Sequence, residues 1–196
     1  MRHILYSMAL FAALSAVFSV LTTGAAMAQT CPASPDLIDD QTMLLQDLQN
    51  AQDAGQAKLI SGQLWALWSM APNEQAQSIL DTGMTRFRAY DYAGAIKEFD
   101  RLVDYCPAYA EGYNQRAFVN YLRQDYDAAL VDLDRAIDLS PHHIGAVSGR
   151  ALTLMGLGRT DEARTAMLAA IALNPWLPER ALVDPGGPLA PLGTDL

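Results

Sequence analysis

Four prolines recur along the chain at a nearly constant interval. Pro72, Pro107, Pro141 and Pro175 are separated by 35, 34 and 34 residues. Each follows an apolar stretch with helical periodicity, and proline ends helices because it lacks an amide hydrogen and clashes with the preceding turn. A fixed period of this length predicts a repeat array, in which helical units stack because no unit can bury its apolar face alone.

The repeated segments also share a pattern of side-chain size. Aligned on the last three prolines, the units are residues 76–109, 110–143 and 144–177. A small residue stands at the eighth position of each unit, as Gly83, Ala117 and Ala151. A large apolar residue stands at the twenty-fourth, as Phe99, Leu133 and Met167. Small residues let two helices approach closely, and large ones fill the remaining space.

This pattern resembles the tetratricopeptide repeat, a helix–turn–helix unit of 34 residues. The shared features are small residues at unit positions 8, 20 and 27, an aromatic at 17, a large apolar residue at 24 and proline at 32. The middle unit fits best, whereas Leu102 replaces a small residue in the first and Thr160 replaces the aromatic in the third. The resemblance implies an all-α fold, an α-α superhelical solenoid of such units.

The segments that flank the three units are expected to cap them. Residues 36–71 predict a degenerate N-terminal helical hairpin, with Gly55 between its helices. Trp65 and Trp68 lie on one helical face, which we expect to pack on the first full unit. Residues 178–196 predict a short cap followed by a flexible tail rich in proline and glycine.

The N-terminus has the pattern of a secretory signal peptide at residues 1–28. A short basic start precedes an apolar run at residues 4–21, and Ala26-Met27-Ala28 is a small-x-small cleavage site. Cleavage near Ala28 predicts a periplasmic or secreted protein. In the alternative, residues 4–21 anchor the protein in the inner membrane, since the run reaches the lower limit for a span. A secretory signal before this type of repeat implies, by resemblance, an exported bacterial protein.

Charge and motifs exclude several classes of function. The net charge of −9 argues against binding to nucleic acid or to an anionic membrane surface, because both require basic patches. The sequence contains no G-x-S-x-G, H-E-x-x-H or phosphate-binding glycine loop, so we expect no enzyme and no cofactor. The pair His142-His143 predicts a surface turn, because no further ligands accompany it to form a metal site.

The family resemblance implies that a protein or peptide partner binds on the concave face, along the first helix of each unit. Unit positions 5, 9 and 12 point inward in the family. They are Leu80, Met84 and Phe87, then Asn114, Phe118 and Tyr121, then Ser148, Leu152 and Met155. This apolar and aromatic lining favours an apolar partner segment. The alternative is that these side chains pack against each other or against the tail.

Co-chaperone members of the family clamp a terminal carboxylate with Lys, Asn and Arg side chains. The corresponding residues here are Leu80, Met84, Gln115, Gly145 and Gly149, and none is cationic. The resemblance therefore does not extend to that ligand. It implies a non-enzymatic adaptor or scaffold, which we place in envelope assembly or maturation. The alternative is a self-assembling module, a homo-oligomer that stacks through exposed solenoid ends at Trp176 and Leu182.

The arginines at unit position 7 and the two cysteines suggest further pairings. Arg116 is expected to pair with Asp132 of its own unit, whereas Arg150 has no equivalent acid because position 166 is alanine. Cys31 and Cys106 are the two cysteines, and in an oxidising compartment they could form a disulfide that closes a long loop. The segment that carries Cys31 could equally be unable to reach Cys106, which would leave two separate thiols.

Overall fold

The computed structural model of the protein describes residues 30–191, which form eight α-helices and one 3₁₀ helix. The helices are α1 (Ile38–Gln49), α2 (Ala54–Trp68), α3 (Glu74–Arg88), α4 (Tyr92–Tyr105), α5 (Ala110–Leu122), α6 (Tyr126–Leu139), α7 (Ile144–Gly156), α8 (Thr160–Leu173) and the 3₁₀ helix (Pro178–Leu182). The predicted signal peptide at residues 1–28 lies outside the described residues. None of the helices between residues 30 and 191 has the length and apolar content needed to span a bilayer.

The predicted all-α repeat fold is confirmed. Helices α3–α4, α5–α6 and α7–α8 are three successive hairpins, and each proline of the sequence repeat lies between one helix pair and the next element. Position 8 is fully buried at Ala117 and Ala151, and position 24 is buried at Phe99, Leu133 and Met167. At Gly83 an added methyl group would lie 2.5 Å from the Phe99 ring, so only glycine permits this close approach.

The turn inside each hairpin follows the same period. Tyr90, Gln124 and Gly158, which are 34 residues apart, all have a positive φ, between 61° and 73°. This left-handed conformation ends the first helix of each unit. Asp91 and Asp125 cap the second helices of the first two units, and their carboxylates accept hydrogen bonds from the amides of Gly94 and Ala128.

The sequence predicts that the N-terminal hairpin packs on the first unit, but its buried side chains pack on the third. Buried side chains of α1 and α2 belong to one apolar cluster with Val147, Leu154 and Met167 of the third unit. Helix α2 offers Ala57, Ile60, Leu64 and Trp68, which recur at helical spacing on one face. The side-chain nitrogen of Gln49 also donates to the carbonyl of Ala172 in α8. The hairpin therefore reaches the far end of the repeat array.

The C-terminal segment covers the last unit. Trp176, Leu182 and Val183 pack against the cluster shared with α8. Further along, Leu189 has no exposed surface, and its amide donates to the Leu182 carbonyl at 2.8 Å. Within the segment that the sequence predicts to be a flexible tail, residues 184–189 thus contribute a core side chain. The Pro and Gly residues form the turn that returns the chain to the core.

Cys31 and Cys106 form a disulfide. Cys106 caps α4 and is buried, and Cys31 packs against the cluster of the first unit. The bond ties the segment before α1 to the junction between the first and second units. Since α1 and α2 pack on the third unit, the N-terminal region contacts both the first and the third unit.

Candidate partner-binding groove

The first helices of the three units, α3, α5 and α7, line a concave cavity of about 400 Å³ together with α2 and the 3₁₀ helix. We call this cavity the groove. Seven of the nine predicted groove residues line it, namely Met84, Phe87, Asn114, Phe118, Tyr121, Ser148 and Leu152. Leu80 is not among the lining residues because it is buried in the core of the first unit. Met155 also lies outside the lining and packs against the cluster shared by α2 and α7.

Aromatic side chains form the wall of the groove on the side of the first two units. The rings of Phe87 and Phe118 lie 5.4 Å apart, and that of Tyr121 lies 5.7 Å from Tyr126. Phe118 remains 46% exposed although it is a large apolar residue. Burial raises the pKa of Tyr121, and Tyr126 adds to the effect, so this hydroxyl remains a hydrogen-bond donor at neutral pH.

Two amides, Asn114 and Gln115, form the polar part of the floor. The side-chain nitrogen of each donates to the carboxylate of Glu111, one turn earlier on α5. Glu111 in turn lies 2.9 Å from Nε2 of His143, and both side chains are almost fully buried. The floor is therefore held by a buried hydrogen-bond network rather than by solvent-exposed side chains.

His143 is not a surface residue, so the predicted turn is wrong on this point. Its ring stacks on Trp68 at 4.2 Å, and its Nδ1 accepts a hydrogen bond from the amide of Ala146 at the start of α7. His142 is exposed, as expected. The difference arises because α2 covers the turn before α7, and the sequence repeat contains no information about that contact.

The other wall of the groove comes from α2, which the sequence does not place there. Trp65 and Ser69 line the cavity, and Trp65 packs edge-on against His143. A methyl group on Gly145 would lie 3.0 Å from the Trp65 ring, so the small residue permits this contact. The three-residue spacing of Trp65 and Trp68 indicated their shared face, but the surface that this face meets depends on the tertiary fold.

Among the described residues that line the groove, one is charged, namely Glu179 of the 3₁₀ helix. Within that lining there is no Lys, Arg or His. Four of the five clamp positions line the groove, and their residues are all uncharged: Met84, Gln115, Gly145 and Gly149. The groove thus combines aromatic and aliphatic surface with amide groups and one carboxylate.

The predicted pairing of Arg116 with Asp132 is confirmed. The guanidinium makes two hydrogen bonds to the Asp132 carboxylate, at 2.8 and 2.6 Å, and a third to Asp100. Arg150, whose own unit has no equivalent acid, pairs with Asp134 of the preceding unit at 2.7 Å. Both arginines therefore serve packing between helices and do not reach the groove.

Comparison with known proteins supports the repeat assignment. The Tetratricopeptide repeat family model matches residues 121–176. Solved structures with a similar fold include a yeast protein, the TPR2B domain of Sti1 in complex with an Hsp70 peptide. It is 22% identical, with a TM-score of 0.51 over 52% of this chain and 81% of that one. The TPR domain of Arabidopsis OM64 is 19% identical, with a TM-score of 0.53 over 54% and 87%.

A third similar structure is the second TPR domain of human RPAP3 in complex with the HSP70 peptide SGPTIEEVD. It is 28% identical, with a TM-score of 0.52 over 54% of this chain and 88% of that one. No curated protein matches at the level of sequence. The repeat pattern, the three hairpins and these similarities together show that the chain has a helical repeat fold similar to that of tetratricopeptide-repeat domains.

Proposed function

We propose that the protein is a non-enzymatic adaptor of the bacterial cell envelope that binds an apolar segment of a partner protein in the groove. The observation that carries this proposal is the exposed side chain of Phe118. It lines a concave cavity of about 400 Å³ together with Phe87, Tyr121 and Leu152. Exposed aromatic side chains in a preformed cavity gain free energy when a partner covers them.

The similarity to other tetratricopeptide domains supports a peptide as the ligand class. The RPAP3 domain, which is 28% identical to this chain, is in complex with a peptide. The groove of this protein lies along the corresponding first helices, α3, α5 and α7. Its lining differs in chemistry from a carboxylate clamp, because it has no cation to bind a terminal carboxylate. An apolar segment therefore fits it better than an acidic tail.

The proposal can be tested by placing a photo-crosslinking amino acid at position 118 in cells. The matched control is position 131 on α6, where Val131 is 70% exposed and lies outside the groove lining. We expect covalent adducts with one envelope protein from position 118 and none from position 131. The purified partner should then lose binding to Phe118→Asp. Identical adducts from the two positions, or unchanged binding to the mutant, would reject the groove as the partner site.

Export to the periplasm is part of the proposal. Its support is the signal-peptide pattern at residues 1–28 together with the disulfide between Cys31 and Cys106, since disulfides persist in oxidising compartments. Cell fractionation with N-terminal sequencing tests it, and the expected product is periplasmic and begins near Gln29. An intact N-terminus in the inner-membrane fraction would favour the alternative, in which residues 4–21 anchor the protein.

Self-assembly through the solenoid ends is the weaker alternative. It needs a free apolar surface at the C-terminal end, but Trp176 and Leu182 pack against the protein's own core, and Leu189 is buried there. Sedimentation at increasing concentration distinguishes the two proposals, because an adaptor without its partner should remain monomeric.

A further inference from the structure

The carboxylate of Glu179 has an unusual environment for an acidic residue. Its Oε2 atom is shielded from solvent and has no hydrogen-bond partner among the described residues. The side chain lines both the groove and an adjoining cavity of about 480 Å³, and Trp65 lies on the border between the two cavities. A shielded carboxylate oxygen without a partner is unfavourable, because it loses hydration and gains nothing in exchange.

Like the carboxylate of Glu179, the side-chain oxygens of Asn114 and Gln115 can accept a hydrogen bond from a ligand. The nitrogens of Asn114 and Gln115 are engaged by Glu111, while their side-chain oxygens make no hydrogen bond to a described residue. Lys58 is the cation that lines the adjoining cavity, yet it leaves Oε2 of Glu179 without a partner. The groove therefore presents the two amide oxygens, the Tyr121 hydroxyl and one negative charge beside its apolar wall.

We infer that the groove selects a partner segment in which a lysine or arginine adjoins apolar residues. The basic side chain pairs with Glu179, where the exposed ring of Trp65 offers a second, cation–π contact. The apolar residues of the segment cover Phe118 and Leu152. This inference rests on the proposed function and adds the charge of the ligand, which is opposite to that of an acidic C-terminal tail.

A displayed library of random 12-residue peptides tests the inference. Selections would use the purified protein, the variants Glu179→Gln and Glu179→Lys, and the groove variant Phe118→Asp. Asp138→Asn serves as the control, since Asp138 is an exposed carboxylate on α6 outside the groove lining. Circular dichroism and thermal unfolding would establish that each variant keeps the fold.

We expect the wild type and the Asp138→Asn variant to enrich apolar peptides with one Lys or Arg at a constant position. Replacing that residue by norleucine should weaken binding about tenfold, in line with the loss of a charge-assisted hydrogen bond. Glu179→Gln should lose the preference, and Glu179→Lys should select Asp or Glu instead. Peptides that require Phe118 but show no basic preference would overturn the inference and leave the groove proposal standing. Enrichment that does not depend on Phe118 would overturn both.

Discussion

Arg116 and Arg150 occupy the same position in consecutive units, but their acidic partners differ in burial. Asp132, the partner of Arg116, is 6% exposed, whereas Asp134, the partner of Arg150, is 52% exposed. The hydrogen bonds to Asp132 raise the pKa of Arg116 above its ordinary value, so the guanidinium stays charged throughout the neutral and alkaline range. The two sites therefore form a matched pair for measuring what burial adds to an ion pair.

We predict that Arg116→Met lowers the free energy of unfolding by about 2 kcal/mol, because it leaves the buried Asp132 carboxylate without a partner. Arg150→Met should change it by less than about 1 kcal/mol, since the partner remains hydrated. Urea denaturation of the two variants beside the wild type measures both effects. Equal losses would show that burial of the acid does not control the contribution of the pair.

The two adjacent histidines allow a second comparison. His143→Ala removes the ring that stacks on Trp68, the cap of α7 and the partner of the buried Glu111. We expect a loss of about 3 kcal/mol in unfolding free energy. His142→Ala is the control, because its side chain is exposed and should change stability by less than about 0.5 kcal/mol. If both variants unfolded alike, the buried network would not stabilise the groove floor.

At the level of residues, the sequence predicted a contact within one repeat unit. The pairing of Arg116 with Asp132 follows from the helix–turn–helix geometry of one unit, so it could be read from spacing alone. The burial of His143 depends on Trp68, which lies outside the three units. A contact between a repeat and a segment of different sequence leaves no periodic pattern, and it needs the three-dimensional structure.

At the level of elements, the disulfide joins the segment before α1 to the end of α4. The two cysteines are 75 residues apart, and a cross-link across a loop of this length restricts the unfolded chain strongly. We predict that Cys31→Ser lowers the free energy of unfolding by about 4 kcal/mol on the chain-entropy model. Denaturation with and without dithiothreitol tests this, since the reductant should destabilise the wild type and leave the variant unchanged. Equal stability of the oxidised wild type and the variant would contradict it.

The helical hairpins of the repeat were predictable because their small residues, aromatic residues and prolines have fixed spacing. The partners of α1 and α2 were not, since an amphipathic face such as that of α2 shows that a surface is buried but not against which element. The same limit applies to Leu189. Its segment is rich in proline and glycine, which indicates turns, and a turn can also return the chain to the core.

At the level of the whole molecule, the groove is assembled from four parts: the first helices of the repeat units, Leu133 of α6, the end of α2 with Ser69, and the C-terminal 3₁₀ helix. The family register gave seven of its lining residues, because those lie on α3, α5 and α7. Trp65 and Glu179 were missed, as both come from segments without a repeat register. They add the wall and the charge, which are the features that separate this groove from a carboxylate clamp.

The most direct test of the adaptor proposal uses the partner segment that is identified by cross-linking at position 118. It is titrated calorimetrically into the wild type, Phe118→Asp and Val131→Asp. Both substituted side chains are exposed, at 46% and 70%, so neither change should disturb the core. We predict that Phe118→Asp weakens binding by at least about tenfold, because a charge replaces a central apolar contact. Val131→Asp should bind like the wild type. Unchanged affinity of Phe118→Asp would contradict the proposal that the groove is the partner-binding site.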